Sequence, residues 1–363
     1  MIESSAKRRR TNEYSSRKSD VELSWEVIEL RTKHAFTTAR TKAPAARFSV
    51  IAQIRNGEVE GIGEAAPTPY YDESAETVSL AMERYRDVLK RFDGDDVFEL
   101  ETIEAAIELE LGRNPSARAA VSAALHDLVG RMLGVPVWRM LGLTPETAPL
   151  SSYTIGIDEP AVMRDRLAEK KSFPIIKVKV GTDRDEEVLS LIRTDRPDAV
   201  LYVDANTAWT AEQAIAKLPL LRDLGVRIIE QPFKADDYAA FRALHDHSDI
   251  PIIADESCRT ARDVPRLAGI VDGVNIKLEK CGSLREALRI VHTARAHDMK
   301  VMFGCMVSST LAIAAALQLS PLVDYADLDA AEYLEFDPFD GPGLEPDGSL
   351  RFNQEPGLGV RRK

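Results

Sequence analysis

The chain has 363 residues, 44% of them hydrophobic, and a formal net charge of −12. That length supports more core than one ordinary domain holds, and the negative balance argues against nucleic acid as a partner, which needs a basic stripe to displace counterions. Three scattered cysteines, Cys258, Cys281 and Cys305, form no CxxC pair and no even disulfide framework. They fit a reducing, cytoplasmic setting, and no apolar run is long enough to make a membrane a partner.

Residues 1–20, with KRRR at 7–10, read as a disordered basic tail, since no apolar segment follows to make a secretory signal. Next come alternating stretches, LSWEVIEL and RFSVIAQIRNGEVEGIGEA, the second a hairpin turning at Asn56-Gly57. The polar segment HAFTTARTKAPAA lies between them, and a Pro- and Tyr-rich loop, EAAPTPYYDES, follows. From about residue 74 the apolar period becomes helical, in AETVSLAMERYRDVLKRF, VFELETIEAAIELEL and SARAAVSAALHDLVGRMLG. Residues 21–145 therefore form an α+β unit.

From residue 152 strand and helix patterns alternate. The strands read as SYTIGI, IIKVKV, VLYVDA, RIIEQP, PIIADE, GVNIKL, KVMFGC and YADLD, most of them separated by amphipathic helices. Eight strands with crossover helices fit a closed α/β barrel over 146–335. An open doubly wound sheet would want a glycine-rich turn after its first strand, and none follows SYTIGI. The last segment, 336–363, is irregular and reads as chain returning to the first unit.

The strand ends carry the chemistry. Asp204, Glu230 and Asp255 close three consecutive strands, about one strand-helix unit apart, at the end of a barrel where active sites sit. As helix caps they would need no cation. As three carboxylates held together they repel, and a hard divalent cation relieves that; oxygen ligands without His or Cys suit Mg²⁺, one per chain. Lys179 belongs to the preceding strand at the depth of Asp204, with Lys177 one layer deeper on the same face, and Lys277 follows on the far side. Two amines flanking a metal-bound carboxylate can remove an α-proton on one face and return it on the other, through an enediolate that the metal stabilises. Lys177 would lower the proton affinity of Lys179. Asp327 and Asp329, in DLD at the last strand, could hold a cationic group or merely cap a turn.

KVKVG (177–181), VDAN (203–206), EQP (230–232), ADES (254–257) and NIK (275–277) together resemble the enolase superfamily, in its muconate-lactonising subgroup, over nearly everything from residue 21 onward. The resemblance implies a (β/α)7β modified TIM barrel with an N-terminal α+β capping domain. It implies Mg²⁺ on Asp204, Glu230 and Asp255, with Asn206 and Glu256 behind them, and Lys179 and Lys277 as the acid/base pair. DLD narrows it further: in the dipeptide epimerases such a pair grips the substrate's N-terminal ammonium. This chain resembles that group in its L-Ala-D/L-Glu type, whose small-molecule substrate is a dipeptide epimerised at its C-terminal residue. Arg40, with Phe36 beside it, resembles the loop arginine that meets an acidic side chain. Cys305 and Met306 stand where the family has GSM, and Tyr70 and Tyr71 could line a pocket for a larger side chain. A homo-oligomer is expected. The same scaffold also supports a lyase or cycloisomerase, o-succinylbenzoate synthase-like or muconate-lactonising-like, or an N-acylamino acid racemase. A non-catalytic barrel that docks a partner through its basic tail is the third reading.

Overall fold

A computed structural model describes residues 21–40, 45–92 and 94–363; the basic segment at 7–10 lies outside the described residues. Strands β1 (Val21–Arg31), β2 (Ala46–Asn56) and β3 (Val59–Ala65) form an antiparallel meander, paired from Val21↔Asn56 to Arg31↔Ala46 and from Asn56↔Val59 to Val50↔Ala65. The β2–β3 turn falls at Asn56-Gly57 as the sequence predicts, with Gly57 in the left-handed region at φ 62°. Helices α1 (Ala75–Leu89), α2 (Leu100–Glu110) and α3 (Pro115–Leu133) follow. Ser74 caps α1 in a reciprocal pair with Thr77.

Helix α3 lies directly on β3. A Cβ at Gly61 would stand 2.2 Å from the Ala124 carbonyl oxygen, and one at Gly63 would stand 2.1 Å from that of Ala120. Only glycine lets the helix backbone come so close. The other side of α3 meets the rest of the molecule, so nearly the whole helix is buried and its apolar stripe is broad.

After the short α4 (Val137–Met140), eight parallel strands run in ring order: β4 (Tyr153–Ile155), β5 (Ile175–Lys179), β6 (Val200–Asp204), β7 (Val226–Glu230), β8 (Ile252–Ala254), β9 (Gly273–Ile276), β10 (Lys300–Gly304) and β11 (Tyr325–Asp327). A bridge between Ser151 and Ala326 joins the last strand to the first, with the Ser152 N–H donating to the Ala326 carbonyl at 2.9 Å. The connecting helices are α5 (Pro160–Glu169), α6 (Asp185–Asp195), α7 (Ala211–Asp223), α8 (Tyr238–His245), α9 (Val264–Leu267), α10 (Leu278–Cys281), α11 (Leu284–Ala296) and α12 (Thr310–Leu317). The fold is the barrel with an N-terminal α+β cap that the motifs imply. Two details differ from the pattern reading. α5 escapes notice because its apolar stripe reduces to Met163 and Leu167. α9 is four residues long, because its chain bends after Leu267 into a bridge between Ala268 and Val271.

Strand alternation splits the barrel residues into two sets. Outward residues such as Ile176, Val178, Val203, Ile229 and Val274 join the large core under the helices. Inward, Tyr202, Ile228, Ile253 and Met302 form a separate apolar plug. Two residues further along the same faces stand Asp204, Glu230, Asp255 and Gly304, so the charged layer rests on a dry floor. After β11 the chain runs back along α3: the Leu358 N–H donates to Asp127 Oδ1 at 2.7 Å, and the Val137 N–H donates to the Gly357 carbonyl at 2.9 Å.

Candidate active site

Lys179, Asp204 and Glu230 are direct cross-strand partners. Asp255 lies just past β8, beyond the level of Glu230, which pairs with Ile253. Gln231 compensates for this offset. Held at φ 36°, it accepts from the Asp255 N–H at 2.7 Å and from the Ser257 N–H at 3.2 Å. One carboxylate oxygen from each of Asp204, Glu230 and Asp255 lies within 4.8 Å of the others, and all three residues are buried. Asn275 Nδ2 donates to Glu230 Oε1 at 2.9 Å, and the Asn206 N–H donates to Asp204 Oδ1 at 2.9 Å.

Ammonium groups fill the spaces between the acids. Lys179 Nζ is 2.6 Å from Asp204 Oδ2, and Lys277 Nζ is 2.8 Å from Asp255 Oδ2. Lys177 is wholly buried, with Nζ 2.7 Å from Glu230 Oε2, 2.8 Å from Asp327 Oδ2 and 3.2 Å from Asp204 Oδ2. Lys177 and Lys179 thus share one oxygen of Asp204. Their strand places two amines on one face because the neighbouring strands supply carboxylates at both depths. Lys280, which the sequence does not single out, is buried behind Asp255, 2.6 Å from Oδ1, and also donates to the carbonyls of Asp255, Cys258 and Asn275.

These surroundings pull the carboxylates apart in proton affinity. Burial alone would raise Asp204 and Asp255, but Lys179 and Lys177 beside the first, and Lys277 and Lys280 beside the second, hold both below the usual carboxylate range. Glu230 goes the other way, up to about 7, through burial and then the charge of Asp204, which Lys177 only partly offsets. Burial would lower Lys177 and Lys277, yet the acids around each push it above the ordinary lysine value.

The donor set fits a hard divalent cation. It offers only carboxylate oxygens in the right span. Glu230 Oε2 and Asp255 Oδ1 are buried without a hydrogen bond among the described residues, and each has a lysine ammonium as an ion-pair neighbour, Lys177 at 2.7 Å and Lys280 at 2.6 Å. These are the oxygens at which a cation would compete with an ammonium contact alone.

On the other side of the mouth, Asp327 Oδ1 accepts from Ser152 Oγ at 2.7 Å and Thr154 Oγ1 at 3.0 Å, while its Oδ2 takes Lys177. Asp329 Oδ2 accepts from the Thr154 N–H at 2.6 Å and from the Tyr333 hydroxyl. Asp327 is held below the usual range: burial opposes this, but Lys177 and Lys179 outweigh it. Asp329 rises to about 7 through burial and the charge of Asp327. Ser152 and Thr154 alternate along the first strand as Lys177 and Lys179 do along the second, and that shared period was the available signal for them. Cys305 Sγ lies 3.1 Å from the Asp327 carbonyl, and Met306 follows in the same loop. Phe36 packs on Tyr333 at 5.1 Å between ring centroids. Arg40 stacks 4.0 Å over the Tyr70 ring and pairs with Glu256 at 2.5 Å.

Two sequence models divide this chain between them. Residues 24–142 match the N-terminal domain of mandelate racemase/muconate lactonizing enzyme, and residues 161–363 match the enolase C-terminal domain-like family. The chain belongs to the mandelate racemase/muconate lactonizing enzyme family. Among its relatives, the L-Ala-D/L-Glu epimerase of Bacteroides thetaiotaomicron is 39% identical over 92% of this chain and 86% of its own length. The L-Ala-D/L-amino acid epimerase of Maribacter sp. is 36% identical over 94% and 99%. The family's barrel and cap recur in a solved dipeptide epimerase from Enterococcus faecalis V583, complexed with Mg and L-Leu-L-Tyr. It superposes with a TM-score of 0.87 at 30% identity, over 94% of this chain and 99% of that one.

Proposed function

We propose that this protein is a Mg²⁺-dependent dipeptide epimerase, inverting the α-carbon of the C-terminal residue of an L-Ala-D/L-Glu-like dipeptide. The observation that carries the reading is the pair Lys179 and Lys277, each hydrogen-bonded to a different carboxylate of one buried triad. Relatives named L-Ala-D/L-Glu epimerase and hydrophobic dipeptide epimerase, each 39% identical, support it.

Asp204, Glu230 and Asp255 would hold the Mg²⁺. When bound, the ion supplies positive charge to the substrate carboxylate as negative charge builds there, and it weakens the hold of the site's lysines on their protons. The chain's own residues do the rest. Asp327 and Asp329 take the N-terminal ammonium and so fix the length of substrate between that end and the triad. Lys179 addresses one face of the α-carbon and Lys277 the other. One removes the proton as a neutral amine, and the other, as ammonium, delivers one from the opposite side. Lys177 keeps Asp204, Glu230 and Asp327 close together throughout. The apolar plug beneath and the capping loops above exclude water from the carbanion. The unpaired cysteines support a reducing, cytoplasmic setting, and the negative net charge supports a small-molecule substrate in place of nucleic acid; a homo-oligomer is the common arrangement for such a chain. Among the described residues, no helix is long and apolar enough to cross a membrane.

A dipeptide panel incubated in deuterated water and followed by NMR tests the reading. We expect deuterium at the C-terminal α-carbon together with epimer formation. Absence of exchange across the panel overturns it. Asp329→Asn separates it from a lyase or cycloisomerase, which needs no ammonium clamp. Epimerisation should lose about 10²-fold in kcat/KM, the scale for truncating a buried charged hydrogen bond.

A further inference from the structure

We propose that Glu256 sets the enzyme's side-chain preference by holding Arg40, and that an acidic substrate side chain is accepted by taking over part of that guanidinium. This rests on the dipeptide reading above.

Arg40 is delivered to its place by a strap of chain that crosses the barrel mouth. The Lys33 N–H donates to the Tyr333 carbonyl at 2.8 Å, which seats the start of the strap on the helical turn Ala330–Tyr333 that follows β11. The Ile157 N–H donates to the Thr37 carbonyl at 2.9 Å, which seats its middle at the end of β4. Ala39 comes down over Gly181 at the end of β5, where a Cβ would stand 2.9 Å from that of Ala39. Arg40 then reaches across to Glu256, next to the triad residue Asp255.

The pair is close but not closed. Arg40 Nη1 lies 2.5 Å from Glu256 Oε1, yet neither Nη1 nor Glu256 Oε2 makes a hydrogen bond among the described residues. A guanidinium and a carboxylate at their best form two parallel N–H···O bonds, and this pair forms none with good alignment. The rest of the surroundings fit an exchangeable partner. Tyr70 supports one face of the guanidinium at 4.0 Å, and the Arg40 side chain keeps 24% of its surface open while that of Glu256 keeps 2%. Nearly all of the pair's exposed surface therefore belongs to the Arg40 side chain, although its Nη1 is buried, so an arriving carboxylate meets the arginine and not the buried acid. A guanidinium has donors enough for two carboxylates. The preference for an acidic over a neutral side chain is then a difference between two partners of one cation. Glu256 acts through Arg40, as a positioning residue.

The test compares L-Ala-L-Glu with its near-isostere L-Ala-L-Gln at saturating Mg²⁺, measuring kcat and KM for α-carbon deuterium exchange. Effects on metal binding or folding alter both substrates alike and cancel in the ratio. Glu256→Gln should raise the Glu-over-Gln ratio of kcat/KM about tenfold, mainly through KM. Arg40→Met should bring that ratio close to one. A ratio unchanged or lowered in Glu256→Gln, with both dipeptides still exchanging, overturns this inference and leaves the epimerase reading standing. A wild-type enzyme that exchanges neither dipeptide overturns both.

Discussion

Two places in this molecule bury carboxylates, and they neutralise them differently. At the barrel mouth, Asp204, Glu230 and Asp255 are surrounded by lysine ammonium groups on flexible stems. At the joint between β3 and α12, Glu64 is also buried, but its partners are the Ser309 and Ala312 N–H groups at 3.2 and 3.3 Å, Ser49 Oγ at 2.7 Å and the Ser309 hydroxyl. Two of those donors are fixed by backbone and none is an ammonium, so Glu64 pins the cap to the start of a barrel helix. The ammonium partners at the mouth can move or lose a proton, and a cation or a substrate can take their place. A buried acid compensated by fixed dipoles makes a joint, and one compensated by mobile charges makes a site.

The largest expected effect tests the mouth directly. Removing divalent metal with a chelator should reduce turnover to background, and added Mg²⁺ should restore it. Asp204→Asn should abolish Mg²⁺ binding in calorimetry, with thermal unfolding as the control that the fold persists. Next in size, Lys179→Ala and Lys277→Ala should each lower the rate of inversion about 10³-fold, within the usual range for a positioned acid or base. Each variant should still exchange the α-proton of one epimer more readily than that of the other. Equal loss of exchange from both epimers in both variants would place the two amines on one side of the carbon.

The joint should respond in stability instead. Glu64→Ala leaves the Ser309 and Ala312 N–H groups buried without their acceptor, which costs about 3 kcal/mol for several orphaned donors. Urea unfolding should show that loss while Mg²⁺ affinity stays within about twofold. A fall in Mg²⁺ affinity comparable to that of Asp204→Asn would erase the distinction drawn between the two regions.

The smallest effect belongs to Glu279, which lies in the fields of both Glu64 and Lys277. Burial, and then the charge of Glu64 among others, raises it to about 7. In the folded state it keeps a proton that the unfolded chain releases near the ordinary glutamate value. Its contribution is therefore complete below about pH 4.5 and is lost as pH rises toward about 7. Glu279→Gln should remove that decline, making the variant more stable than wild type by about 2 kcal/mol at pH 8 and by much less at pH 5. Parallel stability–pH curves for the two proteins would mean that Glu279 is solvated or paired in solution.

The strands were readable because most carry a run of β-branched and aliphatic residues that ends in a charge, as VLYVD and RIIE do. The spacing of Lys179, Asp204, Glu230 and Asp255 carried most of the site, since one strand-helix unit returns the chain to the same level. Ser152 and Thr154 were not picked out, because hydroxyl residues on a short strand have many ordinary uses. Lys280 was missed because nothing in LEKCG marks a lysine that turns inward to meet three carbonyls and an acid. Arg40 lies in the segment between β1 and β2, as its sequence position implies. Its partnership with Glu256 joins residues 216 positions apart and has no local signature.

By itself, the order of residues determined the parallel barrel, its antiparallel cap and the layer of charge at the strand ends, because periodicity and repeat length are local properties that a chain cannot hide. Only the folded molecule decided which ammonium meets which carboxylate, how far Asp255 lies beyond Glu230, and that the strap brings Arg40 to Glu256. Those pairings depend on strand register and loop path, and a shift of one residue in either would face the same side chains toward different partners.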